Sequence, residues 1–190
     1  MVGVVLAGGA STRMGEPKQS VVLGGTTMGE VVAARLESVT GRVVVSGARI
    51  GELEMVVDRP PGEPIGPLAG VVACLAALEV PIVVSAVDQP WLRPDTVREL
   101  VHRCDGELPV IPVDNGARQV TCAVYTPAFL AEAVAQLESG SLQSALDQAE
   151  HVAVGPEAWS SWGEDGRSWF SVDTAADLAA GVELYGDPTG

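Results

Sequence analysis

The sequence predicts an α/β fold, a single doubly wound and mostly parallel sheet with helices on both faces. Three observations predict it. Apolar runs of strand length read as continuous rather than alternating, which suits strands buried on both faces. Helical patterns with 3, 4 spacing lie between those runs. The apolar mass is Val, Ala and Leu, with aromatics at only 4%, as expected where buried parallel strands alternate with small-residue helices. A chain of 190 residues that is 47% hydrophobic has ample material for one core, so disorder is disfavoured.

The elements follow in order. Val2 to Leu6 is the first strand-like run, and Met28, Val31, Val32, Leu36 and Val39 then mark one face of a helix. Val43 to Ser46 and Met55 to Val57 read as strands. Pro67 to Val87 is almost wholly apolar and could be mistaken for a membrane span, but it contains Glu79 and Pro81. A charge at mid-bilayer costs roughly 2.5–3.5 kcal/mol on insertion scales. The segment is better read as a helix over Leu68 to Leu78, broken by Pro81, feeding a buried strand over Ile82 to Ala86. Pro94 suits the first turn of a helix through Val101. Val110 to Val113, Val120 to Tyr125 and Val152 to Val154 complete the strands, and Phe129, Leu130, Val134 and Leu137 follow helical spacing. Ser141 can cap one helix, while Thr174 with Asp177 resembles a capping box for the last. No repeat or long linker divides the chain, so residues 1–190 are read as one domain.

Charge narrows the partners. Eleven Lys and Arg stand against 25 Asp and Glu, a formal net charge of −14, and the predicted pI is about 4.3. Such a field repels phosphate backbones and anionic lipid, which disfavours nucleic-acid and membrane-surface binding. Any phosphate must be held by a local cradle. Cys74, Cys104 and Cys122 form no CxxC pair and His102 and His151 are isolated, so neither a zinc site nor a disulfide framework is supported. The start Met1-Val2-Gly3-Val4 lacks a basic n-region and runs straight into a strand, which reads as cytoplasmic.

The most informative segment is the first βα connection, Val4-Val5-Leu6-Ala7-Gly8-Gly9-Ala10-Ser11-Thr12-Arg13-Met14-Gly15-Glu16-Pro17-Lys18. A buried strand ends in two glycines, whose missing Cβ atoms let backbone N–H groups approach a polyphosphate or a base edge. In an open α/β sheet, ligands sit beyond the carboxyl ends of the strands. The spacing fits neither a P-loop, because Glu16-Pro17 separates Gly15 from Lys18, nor the G-x-G-x-x-G dinucleotide turn. Lys18 is the only lysine in the chain, against ten arginines. A compact ammonium can sit between phosphate oxygens as a point charge, whereas arginine presents a planar fork.

Leu6-Ala7-Gly8-Gly9-x-Ser11-x-Arg13-Met14-Gly15-x-x-Lys18 resembles the signature of the molybdenum cofactor nucleotidyltransferases, above all their guanylyltransferases. Gly66-Pro67-Leu68-Ala69-Gly70 resembles the same family's second glycine-rich segment, Asp88-Gln89-Pro90-Trp91-Leu92 its metal-binding strand end, and Gly140-Ser141-Leu142 a later helix start. The resemblance implies a Rossmann-like nucleotidyltransferase domain, similar to the nucleotide-diphospho-sugar transferases. It implies nucleotide contacts at Leu6, Ala7, Gly8 and Gly9, phosphate contacts at Arg13 and Lys18, and Mg2+ at Asp88, which follows a buried strand. Asp58 resembles a family position near the nucleotide, an ordinary turn aspartate being the alternative.

Phe170-Ser171-Val172-Asp173-Thr174 resembles the family's motif before its last helix, but Ser171 and Asp173 stand where the guanylyltransferases usually carry Asn-x-Asn. Asp173 is either a second Mg2+ ligand, as in the related cytidylyltransferases, or a contribution to the helix cap. The Asp-Gln-Pro sequence also leans toward cytidine and Gly8-Gly9 toward guanine. Arg118 resembles a position on the acceptor side. Trp159, Trp162 and Trp169 are read as packing in preference to stacking on a pterin.

The implied reaction joins GMP from GTP, or CMP from CTP, to the terminal phosphate of molybdopterin or the molybdenum cofactor and releases pyrophosphate. Transient contact with other cofactor-biosynthesis or molybdoenzyme-maturation proteins is the implied macromolecular partnership. A non-catalytic nucleotide-binding relative is the competing class, left open by Ser171.

Overall fold

The central strand follows directly from the apolar first run. Every residue of β1 (Val2–Ala7) is buried, and its side chains alternate between two separate cores. Val2, Val4 and Leu6 enter one and Val5 and Ala7 the other, as the period of two along a strand requires. The computed structural model describes residues 1–8, 17–56, 66–138 and 141–190.

In chain order the remaining elements are β2 (Val22–Leu23), β3 (Thr26–Thr27), α1 (Met28–Thr40), β4 (Val43–Gly47), β5 (Glu54–Val56), α2 (Pro67–Leu78), β6 (Ile82–Ala86) and α3 (Pro94–Arg103). They continue with β7 (Val110–Asp114), β8 (Ala117–Arg118), β9 (Cys122–Tyr125), α4 (Leu130–Ala135), α5 (Leu142–Leu146), β10 (Val152–Val154), α6 (Pro156–Ser160) and α7 (Ala175–Tyr185). The main sheet has the order β10-β7-β9-β6-β1-β4-β5, with β8 paired to β7. Strand β1 lies parallel to both β4 and β6, β5 pairs in parallel with β4, and β10 pairs in parallel with β7. Strand β9 runs antiparallel to β6 and β7. The sheet is thus mostly parallel, and β1 and β6 end side by side.

Helices cover both faces. Leu68, Val71, Cys74 and Leu75 of α2 bury one face with residues of the α4 and α5 region. Val32, Ala33 and Leu36 of α1, with Val97 and Leu100 of α3, bury the other. Local signals set the ends. Thr27 caps α1 in a reciprocal box with Glu30, Ser141 caps α5 with Ser144, and Thr174 caps α7 with Asp177. Helix α2 stops at Glu79, which takes a left-handed conformation (φ 54°) two residues ahead of Pro81.

Differences from the sequence reading are small and have identifiable causes. The strand before α4 starts at Cys122 rather than Val120, because a tight connection from β8 takes residues 119–121, with Cys122 N–H donating to the Gln119 carbonyl. The β2–β3 hairpin, β8 and α6 are too short to carry a periodic pattern. No described helix is long and apolar enough to cross a membrane.

Candidate active site

Three chain segments meet beyond the carboxyl ends of β1 and β6. The first is a 3₁₀ turn over Lys18–Ser20, entered through Pro17. The second is the turn after β6, where the Val87 N–H donates to the Leu6 carbonyl at 3.0 Å and so ties Asp88 to the end of β1. The third precedes α7: the Val172 N–H donates to the Asp88 carbonyl at 2.8 Å, which lays Asp173 next to Asp88. The N–H groups of Asp173 and Thr174 donate to the Asp177 carboxylate at 3.1 and 2.8 Å, fixing the approach to the helix.

Lys18 joins the other two. Its Nζ donates to Asp88 Oδ2 at 2.5 Å and to Asp173 Oδ1 at 2.5 Å, across 70 and 155 residues of sequence. The Lys18 and Asp88 side chains are 14% and 17% exposed, whereas Asp173 is 54% exposed and forms the open side of the site. Burial alone would lower the Lys18 pKa, but the hydrogen bonds it donates to Asp173 and Asp88, together with their negative charge, outweigh it and raise the pKa above the ordinary 10.5. The ammonium is therefore fully charged at neutral pH. Asp88 Oδ1 is buried and has no hydrogen-bond partner among the described residues, an arrangement that costs free energy unless something else meets it.

A small apolar cluster holds the three segments in register. Val21 beside the lysine turn, Trp91 after Asp88 and Val172 before Asp173 pack together with Leu23, Met28 and Val31. Trp91 is 2% exposed; its indole N–H donates to the Gly186 carbonyl at 2.9 Å, and its ring meets Phe170 edge-on. Helix α7 can approach only because position 181 is glycine, where a Cβ would lie 2.2 Å from the Trp91 ring.

The other expected positions fall as follows. Leu6 and Ala7 are buried, with Gly8 half-buried at the sheet edge, so the strand end could meet a ligand through its backbone. Gly9, Arg13, Asp58 and Gly140 lie outside the described residues. Gly70 lets α2 pack close to the sheet, since a Cβ there would stand 2.7 Å from Ser46 Oγ and 2.9 Å from Leu6 Cδ2. Arg118 pairs with Asp147. Trp159 and Trp169 pack edge to face and donate to the Val113 carbonyl and the Asp114 carboxylate, and Trp162 lies under the Arg103 guanidinium. All three indoles serve packing.

Two supporting side chains escaped the sequence reading. Gln89 is 1% exposed and faces inward: its Oε1 accepts from Ser85 Oγ and the Ala86 N–H, and its Nε2 donates to Thr121 Oγ1. It braces the turn that presents Asp88. Glu164 is 3% exposed and accepts from Thr96 Oγ1, Ser168 Oγ and the N–H groups of Asp165, Gly166 and Ser168. It ties the segment leading to Asp173 onto α3. Nothing in the sequence marks Gln89, in the turn after β6, as buried, and nothing links Glu164 to Thr96.

This framework, an open and mostly parallel sheet with Lys18, Asp88 and Asp173 gathered beyond its strand ends, is that of the nucleotidyltransferases. A protein described as molybdopterin-guanine dinucleotide biosynthesis protein A from Archaeoglobus fulgidus superposes with a TM-score of 0.81 at 24% identity, covering 97% of this chain and 98% of that one. Residues 3–153 match the model of the MobA-like NTP transferase domain, and the chain belongs to that family. It is 33% identical to a probable molybdenum cofactor guanylyltransferase of Natronomonas pharaonis, over 93% of this chain and 94% of that protein. It is also 30% identical to a molybdenum cofactor guanylyltransferase of Burkholderia vietnamiensis, over 95% and 94% of the two chains.

Proposed function

We propose that this nucleotidyltransferase transfers GMP from GTP to the terminal phosphate of molybdopterin or the molybdenum cofactor, releasing pyrophosphate. The observation that carries the reading is the part-buried Lys18 ammonium set between Asp88 and Asp173 at the ends of the strands. It supplies fixed positive charge in an otherwise anionic molecule, where a triphosphate needs it. Relatives named as guanylyltransferases over nearly the full chain support the choice of nucleotide and acceptor.

A phosphomonoester acceptor, with a second pKa of about 6, is mostly dianionic at neutral pH and needs no general base. That agrees with a site built from a lysine and two aspartates. The acceptor oxygen attacks the α-phosphorus of the triphosphate, and pyrophosphate leaves from the opposite side. The chain's task is in-line positioning and charge neutralisation. Gly8 and the strand end offer backbone N–H groups, and Lys18, with Arg13, offers cationic side chains.

Asp88 and Asp173 would hold Mg2+. The fit is good: Asp88 Oδ1 is buried and unpartnered among the described residues, and both side chains are hard oxygen donors. Among the described residues no group of three metal-binding side chains converges, which suits a cation that takes its remaining ligands from phosphates and water. Bound there, Mg2+ supplies Lewis-acid stabilisation of charge on the phosphates.

A second reading, transfer of CMP from CTP, is favoured by Asp173 itself, the residue that departs from the guanylyltransferase pattern. Thermal shifts with GTP, CTP, ATP and UTP in the presence of Mg2+ separate the two, because the preferred nucleotide raises the melting temperature most. Pyrophosphate release with GTP and molybdopterin tests the reaction. Release that does not depend on molybdopterin would overturn the proposed acceptor.

A further inference from the structure

The lysine that would bind phosphate spends its hydrogen bonds on the carboxylates that would bind the metal. Lys18 Nζ takes Asp88 Oδ2 and Asp173 Oδ1 together, each at 2.5 Å, while the buried Asp88 Oδ1 has no partner among the described residues. A divalent cation captured by both aspartates would sit against the ammonium that already bridges them. Two cations at one pair of carboxylates repel, and the low exposure of Lys18 and Asp88 limits the screening water can offer.

We infer that Lys18 is an exchangeable counterion: it neutralises Asp88 and Asp173 until a triphosphate offers it new anions, and it then yields the carboxylates to the metal. This rests on the nucleotidyl-transfer reading of the site. Its consequence is that metal and triphosphate bind cooperatively through one side chain, each lowering the cost of admitting the other. Residue chemistry fits. The ammonium sits on a flexible four-carbon stem and can swing between acceptors as a point charge, whereas an arginine fork would engage the carboxylates through several planar donors and release them less readily. Position 18 is lysine in a chain that otherwise carries only arginine. Its backbone is held by the adjacent turn, with the Val21 N–H donating to the Lys18 carbonyl at 3.2 Å, so the exchange requires only side-chain rotation.

The test measures Mn2+ binding by electron paramagnetic resonance, with and without GTP, for wild type, Lys18→Met and Lys18→Arg. Without nucleotide, Lys18→Met is expected to bind Mn2+ about tenfold or more tighter than wild type, a coupling within the usual range for linked sites, while Lys18→Arg binds no tighter than wild type. GTP is expected to improve Mn2+ binding to wild type by about tenfold more than to either variant. Lys18→Gln carries the same expectation as Lys18→Met should the latter fold poorly, folding being checked by circular dichroism. Equal or weaker Mn2+ binding by the neutral variants overturns the inference, because the ammonium would then not be competing for the metal's oxygens. The nucleotide-free measurement decides this without any transferase activity. Failure of wild type to bind GTP or CTP would instead overturn the functional reading.

Discussion

Lys18 carries more of the site than any other side chain, because it pairs two aspartates that repel one another in its absence. Replacing it by alanine is expected to lower turnover by roughly 10²- to 10³-fold, the scale of losing one preorganised stabiliser; steady-state pyrophosphate release measures this, and unchanged turnover would remove Lys18 from the mechanism. Its raised pKa also fixes a pH window. A cation whose folded-state pKa lies above the unfolded value stabilises the fold fully below that unfolded value, here 10.5, and loses the contribution as pH rises through the folded value. The melting-temperature difference between wild type and Lys18→Met, followed by circular dichroism, should therefore stay level from about pH 7 to 9.5 and shrink only above the ordinary lysine pKa. A difference that shrinks between pH 7 and 9 would mean that the bridge does not hold the ammonium. Lys18 was legible in the sequence by rarity and by its place after a glycine-rich turn. Its two carboxylate partners were each legible as metal candidates, but their sharing of one ammonium depends on contacts across 70 and 155 residues, which no local pattern encodes.

The elements that carry these residues are joined by packing rather than by sequence proximity. Helix α7 leans on Trp91 at Gly181, where an added methyl would meet the ring at 2.2 Å. Gly181→Ala is accordingly expected to destabilise the fold by about 1–3 kcal/mol, the usual cost of overpacking, and to loosen Asp173 with the helix start. Calorimetry gives the first effect and weaker Mg2+-nucleotide binding the second; a variant as stable as wild type would show that the helix moves freely. Glu164 acts on the same segment from the other side. Glu164→Gln replaces one buried acceptor oxygen by an N–H2 facing groups that already donate, and should cost about 1–3 kcal/mol in urea unfolding. Long elements such as β1, α1, α2 and β6 could be read from the sequence because burial on one or both faces imposes a period on many residues. The β2–β3 hairpin and the 164–169 segment could not. Their placement comes from a few long-range contacts, Val21 and Leu23 against Trp91 and Glu164 against Thr96, so the order of residues along the chain carries no period to detect.

At the scale of the whole molecule, a net charge of −14 must be reconciled with binding the anionic triphosphate proposed as its substrate. The sheet does part of this by geometry: β1 and β6 end together, and beyond their ends the one lysine offsets one of the two negative charges of Asp88 and Asp173, the rest falling to the Mg2+ proposed for the same carboxylates. The same imbalance governs stability. Several ion pairs, among them Arg42 with Glu54 and Arg103 with Glu99, lie on the surface with both partners well exposed, and such pairs contribute about 0–1 kcal/mol each. Opposing them is the mutual repulsion of unpaired carboxylates, which acts over the Debye length of about 30 Å at 0.01 M salt and about 10 Å at 0.1 M. Raising KCl from about 10 to 150 mM shortens that range below the separation of most surface charges, so it should relieve more repulsion than it weakens attraction. The melting temperature at pH 7.5, measured by scanning calorimetry, is therefore expected to rise by a few degrees across that range, about the shift that 1 kcal/mol produces in a domain of this size. A fall would mean that the surface ion pairs outweigh the excess negative charge, and that the acidic surface is a stabilising network rather than a load that the fold tolerates.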